Sequence, residues 1–306
     1  MSGDLVCDTL VRTLTASTPL LLGTLGEITA ERSGVLNLGV EGMMAVGAVA
    51  GFSAAAASGS PWVGLAAAVA AGAALALVHA FLSVGLGGNQ IVSGVALTML
   101  GLGASGVWGR SYVGTPLAAR FEAAPLPWLG AIPGLGPTVF SMDPIFYVAL
   151  LLCAVLGLGL FRTRWGLTLR SVGENPLAAD AAGVPVGLVR VLAVALGGAL
   201  AGMAGGYLSL VYIPSWIEGM TAGRGWIVIA LTIFAGWNPW LALPGALLFG
   251  GIDVSQYLFQ SYLSPNFLKM LPYAATLLVL VLTGRRRSGR RAPPAALAEP
   301  YRKGER

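Results

Sequence analysis

Charged residues are scarce in this chain of 306 residues. Asp, Glu, Lys and Arg together make up 10% of the sequence, whereas a soluble globular domain carries about 25%. Hydrophobic residues account for 56%, and the mean hydropathy is +0.78. This balance excludes an ordinary water-soluble domain and indicates an integral membrane protein.

Cysteine and histidine are nearly absent. The two cysteines are Cys7 and Cys153, and His79 is the single histidine. Two cysteines cannot build a disulfide framework, and a lone histidine near a helix end favours a local hydrogen bond over a metal site or a proton relay. We therefore expect neither a metal ion nor a redox function.

Catalytic and nucleotide-binding motifs are missing as well. The sequence contains no HExxH, no GxSxG, no CxxC pair and no GxxxxGK[ST] phosphate-binding loop. These absences exclude the common metalloprotease, serine hydrolase and P-loop ATPase arrangements. We expect a protein that is not an enzyme and that needs no cofactor of its own.

What the chain does have is a series of long apolar runs. Runs long enough to cross about 30 Å of hydrocarbon occur throughout the first 284 residues. We predict about nine transmembrane helices, at 9–29, 37–57, 61–83, 89–109, 144–161, 189–211, 223–238, 240–258 and 267–283. The predicted fold is therefore an all-α, polytopic helical bundle, with residues 1–284 as the membrane domain.

The charge distribution predicts the orientation of this bundle. Residues 285–306 carry eight basic residues and two acidic ones, which is typical of a cytoplasmic tail that contacts lipid headgroups. Nothing here indicates nucleic-acid binding. Counting back from the tail places the basic stretch 162–190 in the cytoplasm as well. The proline-rich stretch 110–143 and the N-terminus are then expected outside.

The stretch 162–190 contains a helix signature between two apolar runs. Asn175 is a good N-cap, Pro176 fits the first helical position, and Gly183 followed by Pro185 ends the pattern. Residues 177–182 are mostly alanine, so we predict a short helix that a partner protein could approach closely. An ordinary capped connector is the alternative interpretation.

Polar residues also occur where a membrane span is expected. Glu27, Glu31, Arg32, Asn37 and Glu41 lie among apolar residues and glycines. Ionisable groups at membrane depth usually pair with each other or line a polar path. The chain can unwind between residues 33 and 42, so a cytoplasmic turn and a broken helix within the membrane both fit.

A second polar set, Asn89, Gln90 and Ser93, follows three glycines at the start of the fourth predicted span. These side chains could bind a polar solute, or they could cap the helix and bond to a neighbouring one. We predict that both sets line a translocation path, which gives the candidate residues Asn37, Glu41, Asn89, Gln90 and Ser93.

Five blocks of the sequence resemble one transporter family. They are GEITAERSGVLNLGVEGMM, NQIVSGVALTMLGLG, GLTLRSVGENPLAADAAGVPV, GGALAGMAGGYLSL and GRGWIVIALTIFAGWNP. In this order they are similar to permease subunits of bacterial ABC importers of the branched-chain amino acid and ribose type, above all to the nucleoside and simple-sugar branch. The resemblance covers about residues 26–250.

That resemblance implies partners and a location. In such importers two permease subunits form the pathway in the bacterial plasma membrane, cytoplasmic ATPases drive transport, and an extracellular or periplasmic binding protein delivers the substrate. The second permease of the nucleoside branch is typically a different paralogue. By resemblance, the short helix docks in the ATPase, through Glu174, Asn175, Pro176, Ala178, Ala179, Asp180, Ala182 and Gly183.

Other functions stay open from the sequence alone. A branched-chain amino acid or another sugar is an alternative substrate. An ion-coupled secondary transporter would need a carboxylate near mid-span, for which Glu41 and Asp253 are the candidates. A structural or channel subunit would not need the capped helix.

Overall fold

The computed structural model describes residues 2–132, 134, 136–260, 264, 267, 270–271, 274–278, 281 and 292–301. Across these residues every regular element is a helix, and extended segments meet only in two isolated bridges, Val113 with Trp216 and Pro116 with Ser215. The predicted all-α class is confirmed.

The helices follow one another with short connections. Ten α-helices lie wholly within the described residues: α1 (Ser2–Arg32), α2 (Val40–Ser58), α3 (Pro61–Ala80), α4 (Gln90–Gly109), α5 (Pro144–Arg162), α6 (Arg164–Glu174), α7 (Pro176–Ala181), α8 (Val186–Tyr207), α9 (Arg224–Phe234) and α10 (Pro239–Phe259). α3 and α8 each continue into a π-helical turn, at Phe81–Gly85 and Leu208–Tyr212, and α4 continues into a 3-10 turn at Arg110–Tyr112. A further 3-10 turn spans Leu129–Ala131.

Five of these helices, with their continuations, are long and apolar enough to cross a membrane. They are Val40–Ser58, Pro61–Gly85, Gln90–Tyr112, Pro144–Arg162 and Val186–Tyr212, which match five of the predicted spans. The predicted span 9–29 lies within α1, and 240–258 lies within α10. Of the seventeen residues in the predicted span 267–283, nine are described and all nine are helical, and the other eight lie outside the described residues. A total of nine spans is therefore not confirmed.

The predicted span 223–238 is wrong as a complete crossing. The helix found there, Arg224–Phe234, has 11 residues and is therefore only about 16 Å long. The helix ends at Phe234, and residues 235–237 form a turn in which Gly236 has a φ of 59°. Hydropathy alone could not find this end, because Ala235 and Trp237 are themselves apolar.

Glycines bring the central helices together. α8 packs against α1, α2 and α3, and its Gly202 lies so close to α3 that a Cβ would collide with Gly72 and with the Ala68 carbonyl oxygen. Gly47 of α2 lies against Gly202 in the same way. Small residues at membrane-helix contacts allow this backbone approach. The glycine spacing on α8 thus serves packing within the chain.

Asp143 fixes the start of α5, at the end of the bundle that carries the segment 110–143. One carboxyl oxygen accepts hydrogen bonds from the backbone N–H groups of Ile145 (2.9 Å) and Phe146 (3.0 Å), and the other accepts one from the Tyr207 hydroxyl (2.9 Å). Burial raises the pKa of Asp143 above its ordinary value. This N-cap ties α5 to α8.

Candidate functional site

The predicted short helix is present with the predicted caps. The side chain of Asn175 accepts a hydrogen bond from the Ala178 N–H (2.9 Å), and Pro176 is the first residue of α7. At the other end, Gly183 adopts a left-handed conformation with a φ of 84°. Its N–H donates to the Asp180 carbonyl oxygen at 2.9 Å, which closes the last turn.

The faces of α7 differ in exposure. Ala178 and Ala182 are exposed, as are Glu174, Asn175 and Gly183 on either side of the helix, while Pro176 and Asp180 are half-buried. Ala179 is buried at 5% exposure and packs with Val172 and Val186. Ala179 was predicted to dock in a partner, but its side chain points into the chain because a helix of two turns must rest one face on its own protein. The exposed surface of α7 is therefore formed by Leu177, Ala178 and Ala181, together with Ala182 directly after the helix.

The segment 33–39 leads from the end of the bundle that carries α7, here called the α7 face, into its interior. At one end, Gly173 of α6 lies against the backbone of Arg32. At the other, Thr98 donates to the Leu38 carbonyl oxygen at 2.8 Å. Thr98 is eight residues into α4, or about 12 Å along that helix. α2 therefore begins inside the bundle, as the broken-helix alternative requires.

Buried polar side chains hold this non-helical segment. Glu27 accepts hydrogen bonds from the backbone N–H of Asn37 (3.2 Å) and from its side-chain amide (3.3 Å). The Asn37 amide oxygen accepts a bond from the Gly39 N–H at 3.1 Å. Both side chains are almost fully buried. These bonds satisfy backbone groups that a helix would otherwise pair.

Gln90 and Ser93 contact the same segment from the α4 side. The Gln90 amide oxygen accepts a hydrogen bond from the Leu36 N–H at 2.7 Å. His79 bridges the Leu36 carbonyl oxygen and the Ser93 hydroxyl, at 3.0 Å to each. The histidine thus makes the local hydrogen bonds that the sequence favours. Asn37, Gln90 and Ser93 are brought together by the backbone of residues 36–37.

Glu41 and Asn89 lie apart from that cluster. Asn89 is exposed, and its amide oxygen caps α4 by accepting from Ile91 (3.0 Å) and Val92 (3.1 Å). Glu41 is buried at 3% exposure and points at the start of α9. The predicted path residues therefore do not form one group.

The Glu41 carboxylate fastens α2 to the N-terminus of α9. One oxygen accepts hydrogen bonds from the Thr221 hydroxyl (2.6 Å) and the Gly223 N–H (2.9 Å), and the other accepts one from the Gly225 N–H (2.5 Å). Helix N-termini attract negative charge because their first N–H groups lack intrahelical partners. Two helices that begin inside the bundle meet at this carboxylate.

A second polar contact near the start of α9 was predicted only in part from the sequence. Asp253 of α10 accepts hydrogen bonds from Arg224 (3.2 Å), Tyr212 (3.4 Å) and Gln256 (3.2 Å). The Arg224 guanidinium also lies 5.0 Å from the centre of the Tyr212 ring. The sequence indicated a helix contact for Asp253 and Gln256. An arginine at the start of an apolar run was the available signal for Arg224.

Two cavities open on the α7 face. The larger, of about 480 Å³, is lined by residues 84–87 after α3, by Asp180, by residues 185–188 and by Tyr301. The smaller, of about 280 Å³, is lined by residues 87–91, Ala298 and Pro300. No group of three or more His, Cys, Asp or Glu residues with metal-binding geometry occurs in the described part of the chain.

The sequence was compared with families of known proteins. Residues 9–281 match the family described as "Branched-chain amino acid transport system / permease component". The chain belongs to this family. It is a multi-pass protein of the cell membrane and a transport component rather than an enzyme.

Individual relatives agree with that assignment. The chain is 42% identical to a protein of Haloferax volcanii that carries the provisional name glucose ABC transporter permease protein TsgC13, with 94% of this chain and 95% of the relative covered. It is 37% identical to the guanosine ABC transporter permease protein NupQ of Bacillus subtilis, with 96% of both chains covered. It is 33% identical to the nucleoside ABC transporter permease protein NupC of Lactococcus lactis, over 87% of this chain and 89% of the relative. No solved structure matches the chain.

Proposed function

We propose that this chain is a permease subunit of an ATP-driven importer that takes up nucleosides or related simple sugars. The observation that carries the proposal is the capped helix α7, which presents Ala178 and Ala182 at one end of an apolar bundle. A short exposed helix of small residues suits a groove in a partner. The relatives named for guanosine, nucleosides and glucose support the substrate class.

ATP hydrolysis belongs to separate subunits in this proposal. The sequence contains no phosphate-binding loop, so a cytoplasmic ATPase must bind and hydrolyse the nucleotide. The α7 face is then cytoplasmic, and residues 162–190 form the coupling loop. A second permease, expected to be a different paralogue, completes the pathway, and membrane lipid surrounds both.

An extracellular binding protein is proposed to contact the segment 110–143. This segment lies at the opposite end of the bundle from α7, where Leu117 donates to the Pro214 carbonyl oxygen (3.0 Å) and Phe121 to that of Leu210 (3.2 Å). Those bonds attach it to the connection between α8 and α9. A binding protein that moves the segment 110–143 would therefore also move the connection between α8 and α9, which continues to the Glu41 contact at the start of α9.

The predicted path residues take different parts in this proposal. Asn37 and Gln90 are bonded to the backbone of the segment 33–39, and Ser93 is bonded to His79, which contacts the Leu36 carbonyl oxygen, so all three act on the path by fixing this segment. Glu41 does so by fixing the start of α9. Asn89 is the exposed member of the set and can meet a solute directly.

The test is uptake by the reconstituted transporter. The chain, its second permease, its ATPase and its binding protein would be placed in proteoliposomes with internal ATP. Uptake of labelled guanosine, glucose and leucine would then be measured, with ATP-free vesicles as the control. ATP-dependent uptake of guanosine or glucose supports the proposal. Uptake of leucine alone, or uptake driven by an ion gradient without ATP, contradicts it.

A further inference from the structure

Residues 292–301 of the C-terminal tail lie against the α7 face. Ala296 donates its N–H to the Gly173 carbonyl oxygen at 2.9 Å, and Ala298 donates to that of Gly34 at 3.2 Å. Ala296 is buried at 3% exposure. The segment thus joins the end of α6 to the segment after α1, and it is attached by its backbone.

Attraction between basic side chains and lipid headgroups does not explain why residues 292–301 lie against the α7 face. The ten residues APPAALAEPY contain no lysine or arginine, because the basic residues of the tail lie before and after them. The contacts are instead backbone hydrogen bonds and apolar packing. A basic stretch on either side can still meet headgroups while the part between them binds protein.

Arg190 connects the tail to the inside of the bundle. Its side chain is 1% exposed, its Nε donates to the Ser33 carbonyl oxygen at 3.2 Å, and its Nη1 donates to that of Glu299 at 3.1 Å. A buried guanidinium is tolerated only when such partners replace water. Removing the tail would therefore expose this charge and take away one of its acceptors.

Tyr301 brings the tail to α7. Its ring lies 6.0 Å from the Arg190 guanidinium and packs against the cluster beneath α7 that contains Ala179 and Val186. It also lines the larger cavity together with Asp180 of α7. A two-turn helix is marginal on its own, so the surface beneath it sets its position.

We infer that residues 292–301 are a positioning strap, which holds α7 through Tyr301 and links it through Arg190 to the segment 33–39. The inference rests on the proposed function, since it assigns the strap to coupling between the ATPase and the pathway. Movement of α7 would reach the segment 33–39, which leads to the start of α2, by way of Tyr301, Arg190 and Ser33. The surface offered to the ATPase then depends on the tail as well as on the coupling loop.

The first experiment asks whether the strap is docked, independently of transport. Single cysteines at Ala295, which is exposed, and at its buried neighbour Ala296 form a matched pair in a background without the native cysteines. In the assembled transporter, we expect Ala296→Cys to react with maleimide at least about tenfold more slowly than Ala295→Cys. As a control for effects of the introduced cysteine, amide hydrogen exchange is measured on the unsubstituted chain. We expect the amides of Ala296 and Ala298 to be protected. Equal labelling together with unprotected amides overturns the inference.

The second experiment asks whether docking positions α7. Tyr301→Ala removes the ring from beneath α7, and Tyr301→Phe keeps it. We expect Tyr301→Ala to lower the stimulation of ATP hydrolysis by the loaded binding protein at least about fivefold and to speed labelling of Ala296→Cys, with Tyr301→Phe close to wild type. Unchanged stimulation in Tyr301→Ala overturns the strap but leaves the proposed function intact, because that function is judged by uptake through the unaltered transporter.

Discussion

Replacing Glu41 should loosen the junction between α2 and α9. Glu41→Ala removes a carboxylate that accepts three hydrogen bonds, and it leaves the N–H groups of the half-buried Gly223 and the buried Gly225 without their acceptor. A hydrogen bond to a charged group contributes about 1.5 kcal/mol or more, so three of them correspond to about 4–5 kcal/mol of unfolding free energy. Glu41→Gln keeps one acceptor oxygen, so we expect it to lower the unfolding free energy by only about 2 kcal/mol.

Thermal unfolding of the detergent-solubilised chain measures this effect, since its eight tryptophans supply a fluorescence signal. At about 2 °C per kcal/mol for a chain of this size, Glu41→Ala should lower Tm by about 8–10 °C and Glu41→Gln by about half as much. The control is Glu122→Ala. The Glu122 side chain is 75% exposed and pairs with Arg120 at 3.5 Å, so its removal should change the unfolding free energy by less than about 1 kcal/mol.

The comparison of the three variants decides the point. A Tm for Glu41→Ala within the range of Glu122→Ala would refute the reasoning, because it would mean that the carboxylate does not hold the start of α9. Equal decreases of Tm in Glu41→Ala and Glu41→Gln would show that the negative charge stabilises the junction and that the acceptor oxygen kept by glutamine does not.

Three further changes test other parts of the account. Asp143→Ala should lower the unfolding free energy by about 1–3 kcal/mol, because it removes the α5 cap and the carboxylate that accepts the Tyr207 hydroxyl bond; a denaturation midpoint equal to that of wild type argues against the cap. Ala118→Cys, in a background without the native cysteines, should react with an impermeant maleimide added outside intact cells, and labelling only after lysis would place the segment 110–143 inside. Asn89→Ala should reduce solute uptake while the complex still assembles, since its exposed amide is proposed to meet the solute; normal uptake would make it only a helix cap.

Local features of the fold were the most predictable from the sequence. Asn175, Pro176 and Gly183 act within a few residues of α7, so their spacing was enough to predict a capped helix. The five confirmed spans are apolar over most of their length, and hydropathy detects that property directly. In both cases the determining interactions join residues that are close together in the sequence.

The features that could not be predicted depend on distant partners. Glu41 meets residues about 180 positions further along the chain, and nothing near Glu41 in sequence indicates this pairing. Hydropathy likewise predicted a full crossing at 223–238, because it counts apolar residues and does not detect that the helix ends at Phe234. The docking of the tail depends on backbone bonds to Gly34 and Gly173, which leave no side-chain pattern.

The orientation of α7 was also beyond the sequence. A run of alanines looks alike on all faces, so Ala179 could not be distinguished from Ala178 until the cluster beneath the helix was known. The physical reason is the shortness of the helix, which has too few residues for a hydrophobic period to show. The composition predicted a partner-facing helix, and the packing identified which alanines face outward.

The exposed surface of α7 is proposed to couple this permease to an ATPase. The most direct measurement is ATP hydrolysis stimulated by the substrate-loaded binding protein, for transporters carrying Ala178→Trp or the small control Ala178→Ser. Overpacking a fitted interface costs about 1–3 kcal/mol, so the tryptophan should reduce stimulation and ATPase co-purification by about fivefold or more, and the serine should leave both unchanged. Normal stimulation and docking with Ala178→Trp in a correctly inserted permease would contradict the account.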